Sequence, residues 1–494
     1  MPLILGAQSA VATGFNVENS CRFNDGDDAY LTRTFGTPTN GKIWTYSCWV
    51  KTSDISDTAP NSVRDLLGAR IDSNNYSDLA FLSDERWMYI LDYHTGAGGA
   101  YGKSIDVRTL NYYRDCGAWM HMVWACDTTQ AVETNRMKFY VNGTQVTTLS
   151  ANRYMDQDEE LTVNKNTANC DVGRAGAGYY YFDGYMAEVA FIDGTQYAAS
   201  DFGEFNEDSP TIWQPIDFAE DVTFGDNGFY LDFKDSADLG KDVSGEGNDL
   251  TPTNIAAVDQ CEDSPTNNFT TLNYLNMPPS DPPTFSQGLT YVVTPNASSK
   301  YFGGTTTMGL SSGKWYWETY SVSALAAAVV GVYTDPNDAA LNSRQPGYST
   351  YDWAYEYDGT IISNNVDQDT GMGSWSSGDY IGTYLDLDNN KIYWALNGTI
   401  INSGTGWDIT AAASTTHGFY YPGCADQETT SSTFAFNFGN GSFGAINLTG
   451  TVYADNDGYG IFKYSPNDGG SASFDSAAKN FMAICTKNLG KYGG

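Results

Sequence analysis

The stretch Tyr380–Gly398, YIGTYLDLDNNKIYWALNG, writes two alternating strands and two tight turns in nineteen residues. Tyr384, Asp386 and Asp388 interleave with Leu385 and Leu387. Asn389-Asn390 then turns the chain, and Ile392, Trp394 and Leu396 run on until Asn397-Gly398 turns it again. Apolar residues at a period of two, closed by Asx-Gly-type pairs that tolerate positive φ, predict antiparallel hairpins.

The same grammar extends over the whole chain of 494 residues, which is long enough for two or three domains with full cores. Aromatic residues make up 14% of it, and Gly, Asn, Asp, Ser and Thr clusters separate short apolar runs, which is an all-β signature. The fold class expected is all-β, with two antiparallel β-sandwich (jelly-roll) domains in tandem. No window shows sustained helical periodicity. Ser321–Val330 is Ala-rich, but its Trp-Tyr-Trp and Gly-Val-Tyr flanks read as a buried strand; Phe474–Leu489 is read as holding one short helix.

Sixty acids against 25 bases give a net charge of −35. Asp in this setting is turn chemistry and solvated surface, and no basic patch is visible, so nucleic-acid binding is not expected. Surface repulsion of this size keeps a protein soluble and weakens in salt, where the screening length falls to about 3 Å near 1 M. The eight cysteines form no C-x-x-C pair, and they read as buried thiols in a chain long enough not to need disulfides. Met1–Thr13 is apolar without a basic leader and is read as mature sequence, and no apolar run is long enough for membrane insertion.

Gly313-Lys314-Trp315-Tyr316-Trp317-Glu318, Val330-Gly331-Val332-Tyr333, Trp353–Gly359 and Phe434–Gly439 fall in order around the opening hairpin. Together they resemble the SPRY domain, with its "G-x-Y-Y-W-E", "V-G-V", "W-G-Y-x-x-D-G" and "x-x-x-N-F-G" strands. The resemblance implies a β-sandwich that binds partners through variable loops. Towards the N-terminus, Ile43–Lys51, Trp119–Trp124, Lys138–Val146 and Phe182–Phe191 supply four more alternating segments. Their order and spacing are similar to a concanavalin A-like jelly roll of the laminin-G type. Four segments are expected: 1–14 as an N-terminal anchor-like piece, 15–255 as the laminin-G-like sandwich with a joint, 256–450 as the SPRY-like sandwich, and 451–494 as an extension.

Ile4–Ala10, Phe15–Asn24 and the joint Leu231–Asp249 also resemble structural proteins of tailed bacteriophages. That resemblance implies a virion surface component: a tail fibre or receptor-binding protein, or alternatively a head decoration. It further implies attachment to other virion proteins through the N-terminal segment, contact with a host cell-surface glycan or receptor, and a homo-oligomer.

Chemistry-bearing constellations are sparse. A glycosidase needs two carboxylates about 5–9 Å apart, and the Glu-x-Asp-x-x-Glu strand usual for retaining enzymes of the concanavalin-like fold is missing. Glu188 stands alone on its strand and reads as a structural acid. His94, His121 and His417 have no metal-ligand spacing, and no Ser occupies a nucleophile elbow. The chain is therefore expected to be no enzyme, with a polysaccharide depolymerase as the second alternative. No cofactor is expected; calcium is the one metal considered, over Asp25-Gly26-Asp27-Asp28, Asp72-Ser73-Asn74-Asn75 and Asp156-Gln157-Asp158-Glu159. Aromatic loops carry the binding expectation: Tyr179, Tyr180 and Tyr181 in a Gly-rich loop, then Tyr348, Tyr351, Trp353 and Trp375, since ring faces beside Asn and Asp hold sugars or partner surfaces. Packing within the sandwiches is the competing reading of the same rings.

Overall fold

A computed structural model describes residues 14–53, 63–82, 87–96, 102–175, 179–296, 302–323, 327–426, 431–467 and 479–493. The candidate anchor Met1–Thr13 lies outside the described residues. The chain divides into two compact units, Ala12–Thr266 and Asn267–Gly494. Each is an antiparallel β-sandwich.

In the first unit, one sheet runs in the order Thr144–Val146, Met137–Val141, Met120–Asp127, Ile43–Thr52, Gly184–Asp193, Ser20–Phe23 and Gln260–Cys261, with Phe229–Leu231 also on Gly184–Asp193. The other runs Leu149–Arg153, Lys103–Thr109, Trp87–Tyr93, Asn75–Leu82, Val63–Asp72, Asn169–Val172, Tyr30–Thr34 and Thr251–Thr253. Alternation sets which residues meet between the sheets. Trp44, Tyr46, Cys48 and Val50 oppose Cys126, Trp124, Met122 and Met120, and all eight enter one buried cluster with Leu66, Leu79, Phe81, Ile90 and Val107. A bulge between Ala187 and Ala190, where Glu188 takes φ 50°, re-phases the rest of the strand so that Met186, Val189 and Phe191 all face inward.

The outer face of the first sheet is sealed by the segment that follows its last long strand, Phe202–Tyr230. Val123, Ala125, Ala190 and Ile192 pack under Phe202, Phe218, Phe224 and Tyr230. Each buried Phe contributes ~1.5–3 kcal/mol.

The second unit repeats this plan. Lys314–Ser323 pairs with both Tyr380–Asp386 and Thr433–Asn437, and the opening hairpin closes with Tyr384 opposite Tyr393 and Leu385 opposite Ile392. The Asp386 carboxylate accepts from the Asn389 amide and side chain, while Asn390 and Asn397 take positive φ. The facing sheet runs Phe302–Thr305, Tyr421–Asp426, Ala328–Tyr333, Trp353–Glu356, Ile361–Ser363 and Val366–Asp369. Residues beyond 450 return over the hairpin, so that Tyr316, Tyr384 and Tyr393 lie buried with Phe462 and Phe481.

Two details differ from the sequence reading. Ser321–Val330 is not one strand: the first strand ends at Ser323 and the next begins at Ala328 in the opposite sheet. A helix, Pro336–Asn342, stands where no helical periodicity is visible, because Asp335 caps it by accepting from the Asp338 amide and Pro336 opens it. The C-terminal helix spans Thr486–Tyr492.

In each unit a glycine turn carries an aromatic ring from a later segment. A Cβ at Gly143 would lie 2.3 Å from the Trp213 indole, and one at Gly398 2.2 Å from the Tyr464 ring. Both glycines have positive φ, so only the residue without a Cβ allows the turn and the cover together.

Candidate functional site

The second sheet of the first unit presents a different outer face. Along its strands Ser77, Leu79 and Phe81, then Met88 and Ile90, then Ile105 and Val107 point inward. The opposite parity carries charge and rings, beside a small apolar cluster of Val63, Ala80 and Tyr89 against Leu82 and Leu91. One rung across the strands reads Thr32, Asp171, Gly68, Asp78, Leu91, Asp106. A second reads Arg70, Tyr76, Tyr93, Lys103, and a third Asp65, Ala80, Tyr89, Arg108.

The carboxylates form the floor of this face: Asp65, Asp78, Asp106 and Asp171 are all buried. Asp171 accepts from Arg174 at 2.6 Å and from the Thr32 hydroxyl at 2.5 Å. Arg174 in turn lies 3.5 Å over the Tyr30 ring. Asp106 binds Lys103 at 2.5 Å, with the ammonium over Tyr93, and the Tyr93 and Tyr76 rings stack at 5.0 Å. Burial first, and Asp78 next, push the Tyr76 phenol up to about 12.

Among the described residues, Asp65 has no hydrogen-bond partner for either carboxylate oxygen. Loss of water, then the neighbouring Asp78, hold its pKa well above the carboxylate range. Such a group is expensive to leave unmatched and is a common mark of a place that meets a ligand.

The sequence-predicted tyrosines sit beside this face. Tyr181 is 6.2 Å from Tyr30, and Tyr180, at φ 63°, bonds through its carbonyl to the Asp65 amide. Tyr179 is 63% exposed and meets Tyr180 edge-on. The strand-face residues themselves were missed from sequence. Their signal is Tyr76-x-Asp78 and Tyr89-x-Leu91-x-Tyr93, a period-two pattern whose outward parity is aromatic and charged rather than simply wet.

In the second unit Tyr348 is exposed, with Arg344 over its ring at 5.3 Å, and Tyr351 is half-buried. Trp353 is buried on its strand opposite Val332 and Ser363. Trp375 is buried against Tyr355 and Phe434. The structure therefore brings Tyr179, Tyr180 and Tyr181 to the polar face and places the second-unit residues on a separate domain.

The titratable groups elsewhere are built into packing. His121 is sandwiched between the Trp49 and Trp213 rings, accepts from the Trp213 indole N–H and bonds Ser47, and burial lowers its pKa to about 3. His94 lies between Asp92 at 2.7 Å and Glu159 at 3.1 Å; those hydrogen bonds raise it to about 9. His417 is the exception: its half-exposed ring lies 3.2 Å from the Asp335 carboxylate. Glu188 accepts from the Tyr230 hydroxyl, and burial raises its pKa to about 8. Glu318 accepts from Tyr316, Asn437 and the Lys463 and Tyr464 amides, yet burial still lifts it to about 7.

The acidic runs considered for calcium have partners of their own. Asp27 accepts from Asn24, Asp72 from Asn74 and Asn75, Asp156 from Arg153, and Asp158 from Lys42. Among the described residues, no three His, Cys, Asp or Glu side chains group to hold a metal ion. All eight cysteines are free and buried. No helix among the described residues is long and apolar enough to cross a membrane.

Two domain families are found in the chain. Residues 24–199 match the concanavalin A-like lectin/glucanases superfamily (laminin G type), and residues 314–441 match the SPRY domain. No curated protein matches the chain. Solved structures similar to it include the SPRY domain of human HERC1, at 20% identity over 30% of this chain and 87% of that one, with a TM-score of 0.24. A putative carbohydrate binding protein from Bacteroides ovatus is 15% identical over 49% of this chain and 60% of that one, with a TM-score of 0.30. A SAP-like pentraxin from Limulus polyphemus is 9% identical over 37% and 80%, with a TM-score of 0.26.

Proposed function

We propose that this chain is a non-enzymatic binding protein whose first sandwich holds a glycan across the polar face of its second sheet. The observation that carries the reading is the contrast within one sandwich. One outer face is apolar and covered by the chain itself; the other sets stacked tyrosines over a floor of carboxylates, beside the Tyr179–Tyr181 loop. Rings to stack on sugar faces and acids to accept from hydroxyls are the components of such a site. The second sandwich adds exposed loops around Tyr348 for a separate partner.

The place of action is proposed as the surface of a tailed phage particle, as a tail fibre or receptor-binding protein in homo-oligomeric form. Support comes from the resemblance of Ile4–Ala10, Phe15–Asn24 and Leu231–Asp249 to such proteins. The test is direct: full-length protein is titrated with host-envelope polysaccharide, beside the variant Tyr76→Ala/Tyr93→Ala. Loss of about tenfold in affinity or more, ~1.4 kcal/mol, with an unchanged circular dichroism spectrum supports the reading. Equal binding overturns it, and release of reducing ends would replace it with a depolymerase. Copy number per particle separates a tail appendage from head decoration.

A further inference from the structure

At one margin of the polar face four side chains form a ladder. The Arg108 guanidinium lies 3.8 Å over the Trp87 ring, Trp87 stacks on Tyr112 at 6.2 Å with planes 28° apart, and Arg114 lies 4.8 Å over Tyr112. Trp87 and Arg108 both belong to the outward parity of their strands, and Arg108 stands next to Tyr89 on the third rung. Tyr112 is 53% exposed, and Arg114 is exposed too.

The two arginines are unusual for this chain. Its acids outnumber its bases by more than two to one. On the same face Lys103 and Arg174 are each tied to a carboxylate. Among the described residues, the Arg108 and Arg114 guanidiniums have neither an ion pair nor a hydrogen bond; their contacts are ring faces. A guanidinium held over a ring face loses less further freedom on binding than a free one and still has N–H groups to offer a planar carboxylate or a sulfate. The long-range field of a −35 chain repels polyanions, so capture has to come from such short-range, oriented contacts.

We infer that the Arg108–Trp87–Tyr112–Arg114 ladder is a subsite for the acidic groups of an anionic polysaccharide, which enters the polar face over its Trp87 margin. This rests on the glycan-face reading above and narrows it to sugars bearing carboxylate or sulfate.

The test uses the full chain and four immobilised polymers: alginate, dextran sulfate, unmodified dextran and a thymidine oligonucleotide. The parent is expected to be retained at least tenfold more strongly by alginate or dextran sulfate than by dextran, and the better of the two identifies the acidic group. Arg108→Ala/Arg114→Ala is expected to fall to the dextran level with an unchanged melting temperature. Arg108→Lys/Arg114→Lys is expected to recover only part, since a lysine lacks the planar fork. No preference in the parent, a preference that survives in the alanine variant, or equal retention by the oligonucleotide would overturn the inference. Retention by dextran without an acidic preference overturns this subsite and leaves the glycan face standing; retention by no polymer overturns both.

Discussion

The two outer faces of the first sandwich are built from the same kind of alternating strands, yet they end in opposite states. Over one, Phe202, Phe218, Phe224 and Tyr230 cover Val123, Ala125, Ala190 and Ile192. On the other, the equivalent outward positions hold Tyr76, Asp78, Tyr93, Asp106 and Arg108. Strand formation asks only for alternation, so it leaves the outward residues free to serve either packing or binding. The first face spends them on stability. The second places rings and carboxylates where an apolar cover would leave the charges unmatched.

The comparison breaks first on stability. Phe218→Ala should destabilise the first unit by ~3–5 kcal/mol, as a fully buried Phe in a covered face does. Tyr93→Ala, from a half-buried stack, should stay near ~1 kcal/mol. Urea unfolding of both variants measures this, and similar losses would mean that the second face is also structural.

Next come the glycine turns. Gly398→Ala places a Cβ against Tyr464 at positive φ and should cost about 1–3 kcal/mol; Gly143→Ala should do the same through Trp213. Variants that melt with the parent would show that neither cover is held by its turn.

Tyr380–Gly398 announces its hairpin because turn chemistry and period-two spacing are local. Its cover by Phe462 and Phe481 is not legible, because nothing in an alternating strand says that its wet side will meet a segment some eighty residues on. The Tyr179–Tyr181 loop was found because three adjacent rings cannot all be buried by alternation. The face next to it was missed because its residues come from strands up to a hundred and forty positions apart and converge only through register. Trp375 looked like a loop ring between glycines and lies buried against Tyr355 and Phe434.

A smaller effect separates the covered face by pH. Glu188, raised to about 8 by burial, binds its proton more tightly folded than unfolded, so its contribution is full below about pH 4.5 and is lost as pH rises towards 8. His121, lowered to about 3, works oppositely: its contribution is full above about pH 6.5 and is lost as pH falls. Glu188→Gln should therefore gain a few degrees in melting temperature on the parent between pH 5 and pH 8.5. A gap that does not change with pH would place the Glu188 proton elsewhere.

The smallest effect on stability belongs to the exposed loop. Replacing Tyr179, Tyr180 and Tyr181 together by Ser should leave the melting temperature within about 0.5 kcal/mol of the parent and weaken glycan binding by a few-fold. Unfolding of this variant would make the rings part of the packing instead.

The central claim is that the polar strand face binds sugar, and hydrogen exchange on the full chain with and without polysaccharide tests it most directly. The account predicts ligand-dependent protection over Asn75–Leu82, Trp87–Tyr93 and Lys103–Thr109, with Phe202–Tyr230 unchanged. Protection confined to the loops around Tyr348, or none in the first unit at a saturating polysaccharide concentration, would contradict it.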